Sequence, residues 1–258
     1  MRRVICLAIC IIITLFSLYV VAAGEVPQKE DLFFSSNKAY KEDRFQEAIE
    51  GYEQLIRQGY RNGHLYYNLG NAYFRLNYLG QAILHYERAH LLIPRNADLN
   101  FNLDYARDQT KDAINTSTNF MSMTLFWLDS LSLNELFWGF AITNGLFWFA
   151  LIIRFIHQSE WIYYLTLFIL IVWLVSGISY GSKWYQLKND TRAVIIAQEV
   201  NVLAGPDARD TILFKLHEGT IVYHERQEDG WTLVHLPDKK RGWVSAEAIE
   251  MINETTGK

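Results

Sequence analysis

Histidine and glutamate pairs are the residues whose spacing comes nearest to chemistry in this chain, and neither pair completes a site. A zinc-protease helix needs two histidines four residues apart with a glutamate after the first, so that both imidazoles hold the metal and the carboxylate activates water. His217-Glu218 and His224-Glu225 start that pattern, but Ile221 and Glu228 stand where the second histidine belongs. The seven histidines are scattered along the chain and read as surface or packing residues rather than as ligands. There is no GxxxxGK[ST] loop to cradle phosphate, no GxGxxG turn and no GxSxG nucleophile elbow. Both cysteines, Cys6 and Cys10, fall in an apolar leader, so the rest of the chain has no thiol for a disulfide, a thiolate metal site or a nucleophile. The expectation is a protein without catalytic residues, metal or cofactor, and therefore not an enzyme. A formal net charge of −4, with no basic surplus on either side of the apolar blocks, also argues against a nucleic-acid partner.

Recognition is written instead in a repeat. Ser36 and Gly70, Phe45 and Leu79, Ala48 and Ala82, Tyr52 and Tyr86, and Leu55 and Ala89 each stand 34 residues apart, small matching small and bulky matching bulky. That is the period of a helix-turn-helix solenoid unit. The second copy, Tyr66-x-x-Leu69-Gly70-x-x-Tyr73 followed by Ala82, Tyr86, Ala89 and Pro94, resembles a tetratricopeptide repeat (TPR) at nearly every signature position. Gly70 and Ala82 let two helices approach closely, and Pro94 stops the second helix. The first copy is looser, with Leu32 and Tyr60 at signature positions. Residues 25–115 are thus expected to form an α-helical TPR solenoid, ending in a third helix over about 97–111 that covers an array short of the usual three units.

The resemblance implies that the first helix of each unit lines a groove. On the register of Gly70 that face carries His64, Tyr67, Asn71, Phe74 and Arg75; one period earlier it carries Phe33, Asn37, Tyr40 and Lys41; the third helix adds Phe101 and Tyr105. Asn37 and Asn71 are equivalent, at a position where relatives hydrogen-bond a ligand backbone, and Lys41 and Arg75 are likewise one period apart. Phe101 and Tyr105 replace the basic residues of carboxylate-clamp members, which favours an extended or helical ligand over a peptide terminus. As ligand contacts the two asparagines are expected to matter for binding and little for stability. The alternative is that Tyr67 and Phe74 pack within the array and Asn71 bridges neighbouring helices.

Three apolar blocks frame the rest. Residues 4–23 follow Arg2 and Arg3 and end in Val21-Ala22-Ala23-Gly24, so 1–24 reads as a signal peptide or an N-terminal anchor. Residues 136–156 and 161–180 are each long enough to cross a bilayer, with Trp127, Trp138, Trp161, Tyr163, Tyr164, Trp184 and Tyr185 crowding their ends. A linker over 116–135 precedes this hairpin, and the second block has no charge to mark the polar face of a soluble helix. Export of the leader places the repeats and everything after the hairpin outside, and the 154–160 turn inside. Arg2, Arg3 and Arg154 agree with that orientation, whereas Lys183, Lys188 and Arg192 oppose it.

From 191 to 252 the period changes to that of strands. Short β-rich runs over 193–197, 220–223, 231–234 and 242–244 alternate with Ala204-Gly205-Pro206, Asp229-Gly230 and Asp238-Lys239-Lys240, which suggests a small all-β barrel. Asn201-Val202-Leu203-Ala204-Gly205-Pro206, Leu216-x-x-Gly219, Asp229-Gly230-Trp231, Val234 and Gly242-Trp243-Val244 occur in the order that resembles a bacterial SH3-like (SH3b) domain. Leu203 departs from the arginine common in that family. Tyr223, Trp231 and Trp243 are the groove candidates. Trp231 and Trp243 can both complete the core instead, the stronger reading for Trp231, whereas Trp243, beside Gly242, and Tyr223 are the better groove candidates. The resemblance implies peptidoglycan as a ligand.

The order of modules, exported repeats, membrane hairpin and SH3b domain, resembles the BatE family of bacterial aerotolerance (Bat) proteins. It implies a multidomain protein of the bacterial inner (cytoplasmic) membrane, with TPR and SH3b parts on the periplasmic side. Its role would be a scaffold for protein partners, Bat proteins bearing von Willebrand A domains. The alternative is a cell-envelope sensor or peptidoglycan-binding protein acting through the SH3b domain.

Overall fold

The computed structural model describes residues 26–112, 126–157 and 159–253. The leader with Cys6 and Cys10, and residues 116–125 of the 116–135 linker, lie outside them. The described residues fall into two compact units, one running to Arg61 and the other beginning at Asn62.

The first unit is an antiparallel pair, α1 (Val26–Lys41) and α2 (Phe45–Arg57). Ala48, Ile49, Tyr52 and Leu55 recur every three or four residues and form the buried stripe of α2. Gly51 is required where the helices cross, since a Cβ there would sit 2.1 Å from Ser36 Oγ.

The second unit opens with the same motif, α3 (Gly63–Arg75) and α4 (Leu79–Leu92), and adds α5 (Ala97–Asp108). Asn62 caps α3 by accepting from His64 N, and Asn96 caps α5 by accepting from Leu99 N. Gly70 is the close-approach site, where a Cβ would lie 2.6 Å from the Tyr86 ring. The period extends to the turns. Asp43 and Asn77, one repeat apart, both adopt left-handed backbone with φ of 59° and 62°, a conformation that Asp and Asn tolerate better than other side chains.

Helix α4 is buried without a break over 82–89, which one neighbouring helix pair cannot achieve. The second partner is the C-terminal sheet. Gly80 admits it: a Cβ there would stand 2.6 Å from the Ile195 carbonyl oxygen. Arg88, 7% exposed, donates from Nε to the Ile252 carbonyl and from Nη2 to the Met251 carbonyl (2.8 Å) and Glu250 Oε1 (2.9 Å). Glu87, 1% exposed, pairs with Arg107 and, at 3.4 Å, with Arg192. Just past α5, Asp112 accepts from His217 N and Thr220 Oγ1, both at 2.7 Å. Burial raises the Asp112 pKa, but those hydrogen bonds and the His217 side chain outweigh it and hold the carboxyl below its ordinary range.

The hairpin follows the short α6 (Phe126–Ser130): α7 (Leu133–Ile156) starts with a Ser132–Glu135 capping box, and α8 (Glu160–Lys188) runs on beyond Tyr180. Both are long and apolar enough to cross a membrane. The most apolar window of each is 11% buried, so their hydrophobicity does not serve a protein core. Thr143 and Ser176 meet between them at 2.7 Å. The base is tied to its surroundings: Arg95 pairs with Glu135, Lys183 Nζ donates to the Leu128 carbonyl at 2.7 Å, and Asn253 Nδ2 to that of Leu187.

Residues 189–191 join α8 to a seven-stranded antiparallel sheet: β1 (Arg192–Ile195), β2 (Glu199–Leu203), β3 (Ile212–His217), β4 (Ile221–Glu228), β5 (Trp231–His235), β6 (Arg241–Ser245) and β7 (Ile249–Met251). The spatial order is β3-β2-β6-β5-β4-β1-β7. One core cluster takes Leu216 and Phe214 from one edge, Ile249 and Met251 from the other, and Ala193, Ile195, Val202, Val222, Val234 and Val244 between them. The sheet therefore curls around its own interior. Asp229 and Gly230, with φ of 44° and 83°, make the tight β4–β5 turn.

Among the described residues His85 has no hydrogen-bond partner for its buried Nδ1, and it stacks on Tyr73 (5.4 Å) and Tyr66 (6.0 Å). Burial, and then the Arg88 charge, push its pKa well below the ordinary 6.5; burial lowers His90 as well. The unfolded chain thus takes up a proton that the folded chain refuses. Stability is full above about pH 6.5 and declines as pH falls through that value. Acidification from pH 7.5 to 5.5 is expected to lower the unfolding free energy by about 1 kcal/mol through His85 alone, and His85→Phe to remove most of that decline in denaturant melts. Arg88→Ala is expected to cost about 1.5 to 3 kcal/mol, as for hydrogen bonds made by a charged group, with earlier proteolysis of the sheet as the second readout.

Candidate functional site

The two equivalent asparagines are engaged inside their own units. Tyr52 Oη donates to Asn37 Oδ1 at 2.6 Å, and Tyr86 Oη donates to Asn71 Oδ1 at 2.7 Å. Both tyrosines are almost fully buried, and a buried phenol needs an acceptor. In the second unit Asn102 Nδ2 adds a donation to Asn71 Oδ1 at 2.9 Å and reaches Tyr67 Oη at 3.1 Å. Asn71 therefore links α3, α4 and α5. The expectation that these asparagines matter little for stability gives way to a structural role, because their carbonyl oxygens are what the tyrosines of the second helices require.

Around that polar centre the second unit presents aromatics. Phe101 and Tyr105 on α5 are 71% and 54% exposed and stack with centroids 6.4 Å apart and planes 5° from parallel. Phe74 of α3, half-buried, lies 5.9 Å from Tyr105. Tyr67 is half-buried with its ring 6.1 Å from Tyr86, while His64 and Arg75 are exposed. In the first unit Tyr40 packs edge-on to Phe45 at 5.4 Å, Phe33 lies 6.1 Å from Tyr52, and Lys41 is exposed.

The sheet places Trp231 and Trp243 differently from expectation. Trp243 is 5% exposed, opposite Leu203 in the β2–β6 pairing and beneath the Arg226 guanidinium at 5.1 Å. It is core, not groove. The neighbouring Gly242 explains this, since a Cβ there would lie 2.5 Å from Val202 and 2.8 Å from the Leu203 carbonyl oxygen. Trp231, for which the core reading was stronger, is half-buried at the start of β5, and Tyr223 is half-buried with its ring stacked on His235 at 5.1 Å. Leu203 is 4% exposed, so the departure from arginine at that position is filled by packing.

Residues 63–96 match the family model of the tetratricopeptide repeat. Residues 197–250 match that of a bacterial SH3 domain. No curated protein matches the chain. The tetratricopeptide match covers α3 and α4, and the pair α1 and α2 carries the same asparagine–tyrosine bond and the same left-handed turn one period earlier. Sequence reasoning missed Asn102 and the α4–SH3 contacts. The signal for the second was a break in the repeat: Gly80, Leu84 and Arg88 stand where the first copy has Gln46, Glu50 and Gln54.

Asn71→Ala is expected to cost about 1 to 3 kcal/mol by leaving the Tyr86 hydroxyl and the Asn102 amide without their acceptor. Asn71→Ala combined with Tyr86→Phe should be less destabilised than the sum of the single changes in thermal melts, since removing both partners removes the unsatisfied donor.

Proposed function

We propose that this protein is a membrane-anchored scaffold that holds protein partners through the aromatic face of its tetratricopeptide unit and performs no reaction of its own. The observation that carries the reading is the stacked pair Phe101 and Tyr105, left open to solvent while α4 of the same unit is covered by the SH3 sheet. Large exposed aromatics side by side mark interaction surfaces. The two long apolar helices, poorly buried and rimmed by tryptophan and tyrosine, act in this reading as a span of the bacterial cytoplasmic membrane. The repeats and SH3 domain then lie on the external side, and the 154–160 turn inside. The order of modules supports membership of a Bat-type aerotolerance or stress-tolerance complex, with von Willebrand A-domain proteins as partners.

A second reading rests on the bacterial SH3 match, which favours peptidoglycan as a ligand, with Tyr223 and Trp231 as the partly exposed aromatics. Full-length protein in detergent separates the two readings. On the scaffold reading it captures a purified von Willebrand A-domain partner, the capture drops several-fold for Phe101→Ala with Tyr105→Ala, and co-sedimentation with purified peptidoglycan is weak. Retention on peptidoglycan without capture of the partner favours the second reading.

A further inference from the structure

We infer that the occupant of this aromatic face is a cationic segment of a partner protein, with arginine or lysine flanking an apolar residue. The inference rests on the scaffold reading of the face and adds the chemistry of what it holds. Helix α5 carries Asp98, Phe101, Tyr105 and Asp108 at spacings of three, four and three, which places them in one stripe. All four are exposed, whereas Leu99, Leu103 and Ala106 on the other side are buried. The stripe is about 15 Å long, from a rise of 1.5 Å per residue. Neither the Asp98 nor the Asp108 carboxylate has an ion pair or hydrogen bond among the described residues.

Cations on the same helix do not neutralise the stripe. Arg107 is taken by the buried Glu87 and by Asp104, and Arg75, at the end of α3, already has a partner. What remains is a pair of stacked rings whose negative faces attract a cation, with an acidic group one helical turn beyond at each end. A carboxylate terminus or an acidic segment meets two like charges there and is rejected. A basic side chain laid over the rings meets both attractions, and an apolar neighbour fills the space beside Phe74.

A random dodecapeptide display library, selected against the full-length protein in detergent micelles, tests this. Arginine and lysine are expected to be enriched about two- to fivefold over the unselected library, the ratio that cation–π and exposed charge contacts supply. The selected clones should lose binding to Phe101→Ala and lose their basic preference on protein carrying Asp98→Asn with Asp108→Asn. Both variants change exposed side chains, and unchanged melting temperatures confirm that each is folded. Clones that need Phe101 but show no basic enrichment overturn the cationic occupant and leave the scaffold face standing. Clones indifferent to Phe101→Ala overturn both. A concentration-dependent dimer in sedimentation that Phe101→Ala dissociates makes a second copy of this chain the occupant and also overturns the inference.

Discussion

Two adjacent charges of opposite sign, Glu87 and Arg88, are buried side by side on α4, and the second unit is arranged around satisfying them. Removing a charge from water is costly unless an opposite charge and hydrogen bonds replace the solvent. Glu87 draws Arg107 from α5 and Arg192 from β1, and Arg88 draws the last carbonyls of β7 with Glu250. One dipeptide thus specifies how a helix array and a curled sheet fit together. Apolar burial supplies area, but area alone does not fix an angle. The fixed donor fork of arginine does, because its hydrogen bonds are lost when the docking surface rotates.

The repeat and the sheet were legible because their determinants are local or periodic. Gly70 against Tyr86, the left-handed Asp43 and Asn77, and the Asp229-Gly230 turn each solve a problem visible within one repeat or one hairpin. The docking of the two was not legible. Arg88 and Ile252 are 164 residues apart, and nothing local marks them as partners. Trp243 misled for a related reason: an aromatic beside glycine reads as an open groove, whereas Gly242 is there to let β6 press against β2. The bridging of neighbouring helices by Asn71 stood as one of two readings, but the bonds from Tyr52 and Tyr86 did not, since a tyrosine recurring at one period was read as bulk and its hydroxyl was overlooked.

Stability and recognition share residues in the tetratricopeptide unit without competing for the same atoms. The Asn71 carbonyl oxygen is committed to Tyr86 and Asn102. That commitment fixes the angle between α3 and α5, and so holds Phe74 against Tyr105. An asparagine that touches no ligand still sets the shape of the face beside it, and a substitution there changes binding through geometry.

The joint between α8 and β1 has a mechanical consequence. Three residues, 189–191, separate a helix of 29 residues from the first strand of the sheet. The joint is also braced twice, by the Asp190–Arg192 ion pair at 2.7 Å and by Asn253 holding the Leu187 carbonyl. A braced joint this short has little slack. Tilting the helix must carry the sheet with it, and the sheet, gripped by Arg88, must carry α4. The helix, about 44 Å long at 1.5 Å per residue, is therefore a lever arm whose far end is the hairpin turn and whose short end is the tetratricopeptide unit.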